Sequence, residues 1–183
     1  MNILKSKKGL VIIIVIVVLV VISNFPKGNN KEQLTSEIKN NGSNTNIQHI
    51  EILDGNKSVA FIKKDDGTEG EMYFEKSLFS WKFKREYTFY PEGIIEPIHL
   101  SFFLSPFNNE ETLNTVLLRV FDTEISKVRI ETGENIFHDF ELLPKDSGGR
   151  FGLFVTESND VYEAEYIAYN SEGEVIYTDK PGE

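Results

Sequence analysis

Apolar and polar positions divide this chain into three stretches with different periods. Leu10 to Ile22 is an unbroken apolar run of thirteen residues, preceded by Lys5, Lys7 and Lys8 and followed by Ser23 and Asn24. Residues 24–46 are rich in Asn, Lys, Ser and Gly, with few large apolar side chains. From Ile47 onward apolar residues recur at every second position between turn residues, and this period predicts strands.

The first stretch predicts a signal anchor and transmembrane helix over 1–23. At about 1.5 Å per residue the run spans only about 20 Å of a hydrocarbon core about 30 Å thick, so Gly9 and Ser23 to Phe25 are expected to extend the helix. Lys7 and Lys8 would keep their stems in lipid and their charges at the headgroups. A signal peptide cleaved before Asn24 is the competing reading, because Val21-Ile22-Ser23 puts acceptable side chains at the two positions a peptidase inspects. Positive charge on the N-terminal side alone predicts a single-pass cell-membrane protein. Its N-terminus would be cytoplasmic, its residues 10–22 in the lipid bilayer and its C-terminal domain extracytoplasmic. Residues 24–46 are expected as a flexible linker, within which Leu34 and Ile38 stand at a helical spacing of four.

Residues 47–90 predict a small antiparallel β-meander with strands at Ile47 to Leu53, Lys57 to Lys63, Glu71 to Glu75 and Phe79 to Tyr90. Asp54-Gly55-Asn56 and Lys64 to Gly67 supply the positive-φ positions that hairpins need. In the last strand Phe79, Trp81, Phe83, Tyr87 and Phe89 are expected on one face, and Ser80, Lys82, Lys84, Glu86 and Thr88 on the other.

Tyr90-Pro91-Glu92-Gly93 separates this meander from residues 91–183, where seven further strands are expected. They are Ile98 to Leu104, Thr115 to Phe121, Lys127 to Glu131, Ile136 to Leu142, Arg150 to Thr156, Tyr162 to Tyr169 and Glu174 to Tyr177. That spacing suits an immunoglobulin-like β-sandwich, although the Cys-Trp-Cys signature is absent. Leu113, Val116, Leu117, Val120 and Phe121 also fit a helical stripe capped by Asn108 or Asn109, so strand and helix both stand there. The expected fold class is all-β: an N-terminal transmembrane helix, a flexible tether, an antiparallel meander and an immunoglobulin-like sandwich.

Composition narrows the chemistry. The chain has no cysteine, which removes disulfides, thiolate metal sites and cysteine nucleophiles. The formal net charge is −10, and because 1–23 holds three lysines and no acid, the remainder carries −13. Such a head does not suit nucleic acid, which demands clustered Lys and Arg. Partners are expected to be a surface or membrane protein, of a kind the sequence leaves unknown, and no cofactor is expected.

No residue set announces catalysis. His49 and His99 are expected on exposed strand faces, and His138 as a semi-buried residue sharing a face with Ile136 and Phe140. Without an H-E-x-x-H pair no zinc site is indicated. Asp65-Asp66-Gly67-Thr68-Glu69-Gly70-Glu71 lacks the ligand register of a calcium loop and reads as a solvated hairpin tip. Ser147-Gly148-Gly149 reads as a turn, not a nucleophile elbow. The protein is therefore read as non-catalytic, and a surface hydrolase using paired carboxylates or His138 ranks last. The one feature shaped like a ligand platform is Trp81, Lys82, Lys84 and Arg85, where cations interleave with the aromatic Phe83 and Tyr87. Its bland alternative is an ordinary sheet face, aromatics inward and lysines outward.

Lys76-Ser77-Leu78-Phe79-Ser80-Trp81-Lys82 and the closing Tyr169-Asn170-Ser171-Glu172-Gly173-Glu174-Val175-Ile176-Tyr177 give the chain a resemblance to small single-pass surface proteins of unknown function from Gram-positive bacteria. The resemblance implies a membrane-anchored, β-rich surface head and carries over no catalytic residue. The expected role is a tethered binding or interaction module; a regulatory or structural subunit acting on a membrane partner through residues 10–22 is the alternative.

Overall fold

Alternating side chains and glycine turns do build strands here. The computed structural model describes residues 15, 29–42, 44–53, 55–78, 80–104, 107, 113–133, 137–145 and 149–181. Apart from Val15, the apolar run 10–22 lies outside the described residues, and among those that are described no helix is long and apolar enough to cross a membrane. Sheet 1 is the meander β1 (Thr45–Leu53), β2 (Lys57–Lys64), β3 (Glu69–Ser77) and β4 (Ser80–Phe89), in that spatial order and antiparallel throughout. Gly55 and Gly67 take φ of +71° and +87° in its first two turns, where a side chain would be strained.

The rest of the chain forms two more four-stranded antiparallel sheets. Its strands are β5 (Ile98–Leu104), β6 (Asn114–Val120), β7 (Lys127–Glu131), β8 (Phe137–Asp139), β9 (Leu143–Pro144), β10 (Arg150–Thr156), β11 (Glu165–Tyr169) and β12 (Val175–Asp179). Sheet 2 has the order β5-β6-β10-β9, and sheet 3 has β12-β11-β7-β8. Residues 114–120, open to helix or strand from sequence, are a central strand buried at every position. The helical stripe arose because both faces of β6 are covered, so apolar residues occupy successive positions instead of alternate ones.

Three interfaces hold these layers together. Ile98, Val116, Leu118 and Val120 of sheet 2 pack on Val128, Ile130, Tyr166 and Ala168 of sheet 3. The other face of sheet 2, with Leu117 and Phe151, meets Phe61, Val59 and Tyr73 of sheet 1. The far face of sheet 1 is capped by a helix, α1 (Asn30–Asn41), whose Leu34 and Ile38 are fully buried on Ile50, Ala60, Ile62, Met72, Phe74 and Trp81. Burying each of these two aliphatic side chains stabilises by about 1.5–3 kcal/mol.

Helix α1 corrects two expectations: from residue 29 onward the described residues are mostly β with one α-helix, not all-β, and residues 30–41 of the supposed flexible tether are folded onto the head. Asn29 accepts from Glu32 N at 3.0 Å while Glu32 Oε2 accepts from Asn29 N at 2.9 Å, a reciprocal capping box. Lys76 Nζ donates to Asn30 Oδ1 at 2.6 Å and pins the helix start to β3. An isolated helix of this length is marginal in water, and the apolar face of sheet 1 supplies what the segment lacks alone.

Candidate functional site

The densest chemistry lies between sheets 1 and 2. On β3, Glu69 and Glu71 point at sheet 2 and are only 2% and 1% exposed. Arg119, on the facing side of β6 and 0% exposed, donates through Nε to Glu69 Oε2 at 2.6 Å and through Nη1 to Ser101 Oγ at 2.8 Å. Lys145 Nζ, just after β9, reaches Glu69 Oε1 at 2.5 Å. The guanidinium also lies 3.7 Å from the Phe89 ring centroid, so the charge is met by a carboxylate and an aromatic face together.

Glu71 is placed differently. It accepts from Tyr73 OH at 2.9 Å through Oε2, and Oε1 has no partner. Burial raises its pKa to about 8, against smaller lowering by the Tyr73 hydrogen bond and the Arg119 charge. Its carboxyl is therefore neutral at pH 7, whereas Glu69 is held by two cations. Desolvation lowers the pKa of Arg119, opposed by its bond to Glu69. These two acids correct the expected solvated tip, which is confined to Asp65, Asp66 and Gly67. Beyond Thr68 the chain is already inside β3; the cations that meet Glu69 there come from positions 119 and 145, and Glu71 is met by Tyr73 on its own strand. The network is a packed junction between sheets 1 and 2. The signal in the sequence was a single arginine inside the otherwise apolar run Val116 to Phe121.

The proposed platform is not assembled. Strand β4 carries a bulge at Lys84, opposite the Tyr73/Phe74 step, which reverses the facing of the residues on either side. Trp81 is buried under α1 with Phe74 and Leu34, and Lys76 Nζ stands 5.7 Å from its ring centroid. Phe83, 38% exposed, stays on that helix side against Phe74. Arg85 and Tyr87 fall on the sheet 2 side, where Arg85 Nη1 donates to Tyr87 OH at 3.3 Å and Tyr87 stacks on Phe103. Lys84 is paired with Glu75 at 2.5 Å, and Lys82 is exposed. Aromatics expected on one face are thus divided between two.

The histidines also move. His99 is not on an open face: its ring lies 4.7 Å from Phe89, and burial, with Arg119 nearby, lowers its pKa. His138 is exposed yet stacked on Phe154 with centroids 4.4 Å apart. His49 is partly shielded and meets Glu51 Oε2 at 3.0 Å. A bulge at Gln48 turns Ile47 toward α1 and leaves His49, Glu51 and Leu53 facing sheet 2. Among the described residues no group of three His, Cys, Asp or Glu is arranged to hold a metal ion.

His49 and His138 do share a cleft of about 510 Å³ at the side of the molecule, where edges of all three sheets converge. One wall is His49, Glu51 and Leu53 of β1, the other His138 and Asp139 of β8, with Leu153 to Val155 of β10 at the base. A wider groove of about 720 Å³ runs beside α1 and β1, with Lys31, Thr35 and Lys39 on the helix side. Compared with known proteins, the chain matches no family model, no curated protein and no solved structure.

Proposed function

We propose that this protein is a membrane-tethered, extracytoplasmic binding module of the cell surface, non-catalytic, with the single-pass topology of the Gram-positive surface proteins it resembles. Leu10 to Ile22, flanked by lysines on its N-terminal side only, supports the anchor and its orientation. The observation that carries the binding role is the cleft among three sheet edges, since concave sites with mixed apolar and polar linings are where ligands bind. Residues 98–179 are read as an immunoglobulin-like sandwich. In chain order their strands stand as first, second, sixth and fifth in one sheet and eighth, seventh, third and fourth in the other. That order supports the assignment, with a fourth strand added to the second sheet. With α1 docked on sheet 1, a tether would consist of the residues before Asn29, which supports a head held closer to the bilayer than a linker over 24–46 would allow.

Protease shaving of intact cells carrying a C-terminally tagged chain tests the topology. Digestion of the tag from outside, with the anchored fragment staying in the membrane fraction, is the expected outcome. A protected tag overturns it, and a released form beginning at Asn24 makes the protein secreted. Exchanging residues 10–22 for an unrelated apolar helix should be tolerated; loss of function on that exchange favours the alternative, a subunit acting through its transmembrane helix.

A further inference from the structure

Sheet 2 is incomplete along one edge. Strand β10 spans seven residues, yet β9 pairs only with Arg150 and Phe151. Phe140 then covers Gly152, to whose Cβ position its ring carbon comes within 2.8 Å, as the chain crosses from sheet 3 into β9. From Leu153 to Thr156 the outer edge of β10 has no strand partner among the described residues. That edge is about 13 Å long, and its Leu153, Phe154 and Val155 line the cleft. Long edges with unpaired N–H and C=O groups are templates for another strand.

We propose that the cleft takes an extended, basic segment of a partner protein, which adds to the free edge of β10 as a strand completing sheet 2. Main-chain hydrogen bonds to β10 would supply affinity and alternate side chains the selectivity. On one side a guest strand meets Leu53, Leu143, Leu153 and Val155, and on the other Phe154 with His138 stacked on it. Apolar residues are therefore accommodated in both directions of alternation. Charge sets the rest: among the described residues the Glu51 carboxylate is paired with His49 alone, and Glu141 has no cationic partner. Asp139 is already held by Arg129 and Lys127. Two acids at the rim, on a chain of net charge −10, favour Lys or Arg on the incoming segment and disfavour a second copy of this chain.

This inference rests on the binding-module reading and is tested separately from the topology. The probe is a short labelled peptide alternating Lys and Val, titrated by fluorescence anisotropy into the full chain in nanodiscs, with a Glu/Val peptide as its control. Saturable binding of the basic peptide, slowed amide exchange across residues 152–156, and at least about tenfold weaker binding to E51K/E141K with unchanged melting temperature are expected. Absence of saturable binding, equal binding to the charge-reversed variant, or protection that maps instead to the groove beside α1 overturns the proposal. A protected tag in the shaving experiment would remove the extracytoplasmic topology alone, and correct shaving without peptide binding would remove the cleft alone.

Discussion

The two faces of sheet 1 are made by the same strands and solve burial in opposite ways. On β3, Met72 and Phe74 face α1 and enter an apolar core. Glu69, Glu71 and Tyr73, alternating with them, face sheet 2 and are buried as deeply. The first face needs only matching shape, whereas the second needs Arg119 and Lys145 in register, since an unpaired buried charge is far more costly than an imperfect apolar contact. The charged face ties sheet 1 to sheet 2 at named positions, Glu69 to Arg119 and Lys145.

The largest break in this comparison is expected from E69A, which leaves Arg119 and Lys145 buried without their carboxylate. Urea unfolding should show a loss of about 3–5 kcal/mol, and E69M combined with R119M and K145M should recover much of it, because removing all three charges is less costly than removing the carboxylate alone. On the apolar face, L34A should cost about 3 kcal/mol through a cavity under α1. A loss below about 1 kcal/mol there, in the same assay, would mean that the helix contributes little to the head.

The two acids of β3 can be separated by pH. Glu71 has a folded pKa near 8, raised from 4.5 by burial, so the folded state holds one more proton than the unfolded chain between those values. Its penalty is absent at low pH, grows as pH rises through 4.5 and is complete above about 8, a slope of about 1.4 kcal/mol per pH unit. Melting curves from pH 5 to 8 should therefore fall with pH for the natural chain and lie flatter for E71Q. Smaller still, N29A should cost about 1 kcal/mol by removing the cap of α1. Least of all, K82A and R85A should each change stability by no more than about 0.5 kcal/mol and leave peptide binding intact, since neither side chain belongs to a core or to the cleft.

Strand positions were legible because they follow from local alternation and turn chemistry. Ile98–Leu104, Lys127–Glu131 and Arg150–Thr156 fall where period two and flanking turns put them. The bulges at Gln48 and Lys84 were not legible, since one extra residue leaves the apolar count unchanged while reversing the faces beyond it. The candidate site was missed because its residues are not local. His49, Glu51, His138 and Glu141 are far apart in the chain, and only the convergence of β1, β8 and β10 brings them to one cleft.

By itself the sequence determined what is local: an apolar run set off by lysines, a cysteine-free acidic chain, and strands separated by glycine turns. Those properties depend on neighbouring residues and on the backbone freedom of single positions. Tertiary structure alone decided that Leu34 and Ile38 make a helix worth keeping, that Glu69 and Glu71 lie inside, and that part of the β10 edge has no strand partner among the described residues. A marginal helix, a buried carboxylate and an unpaired strand edge each depend on a partner supplied, or withheld, by a segment distant in the chain.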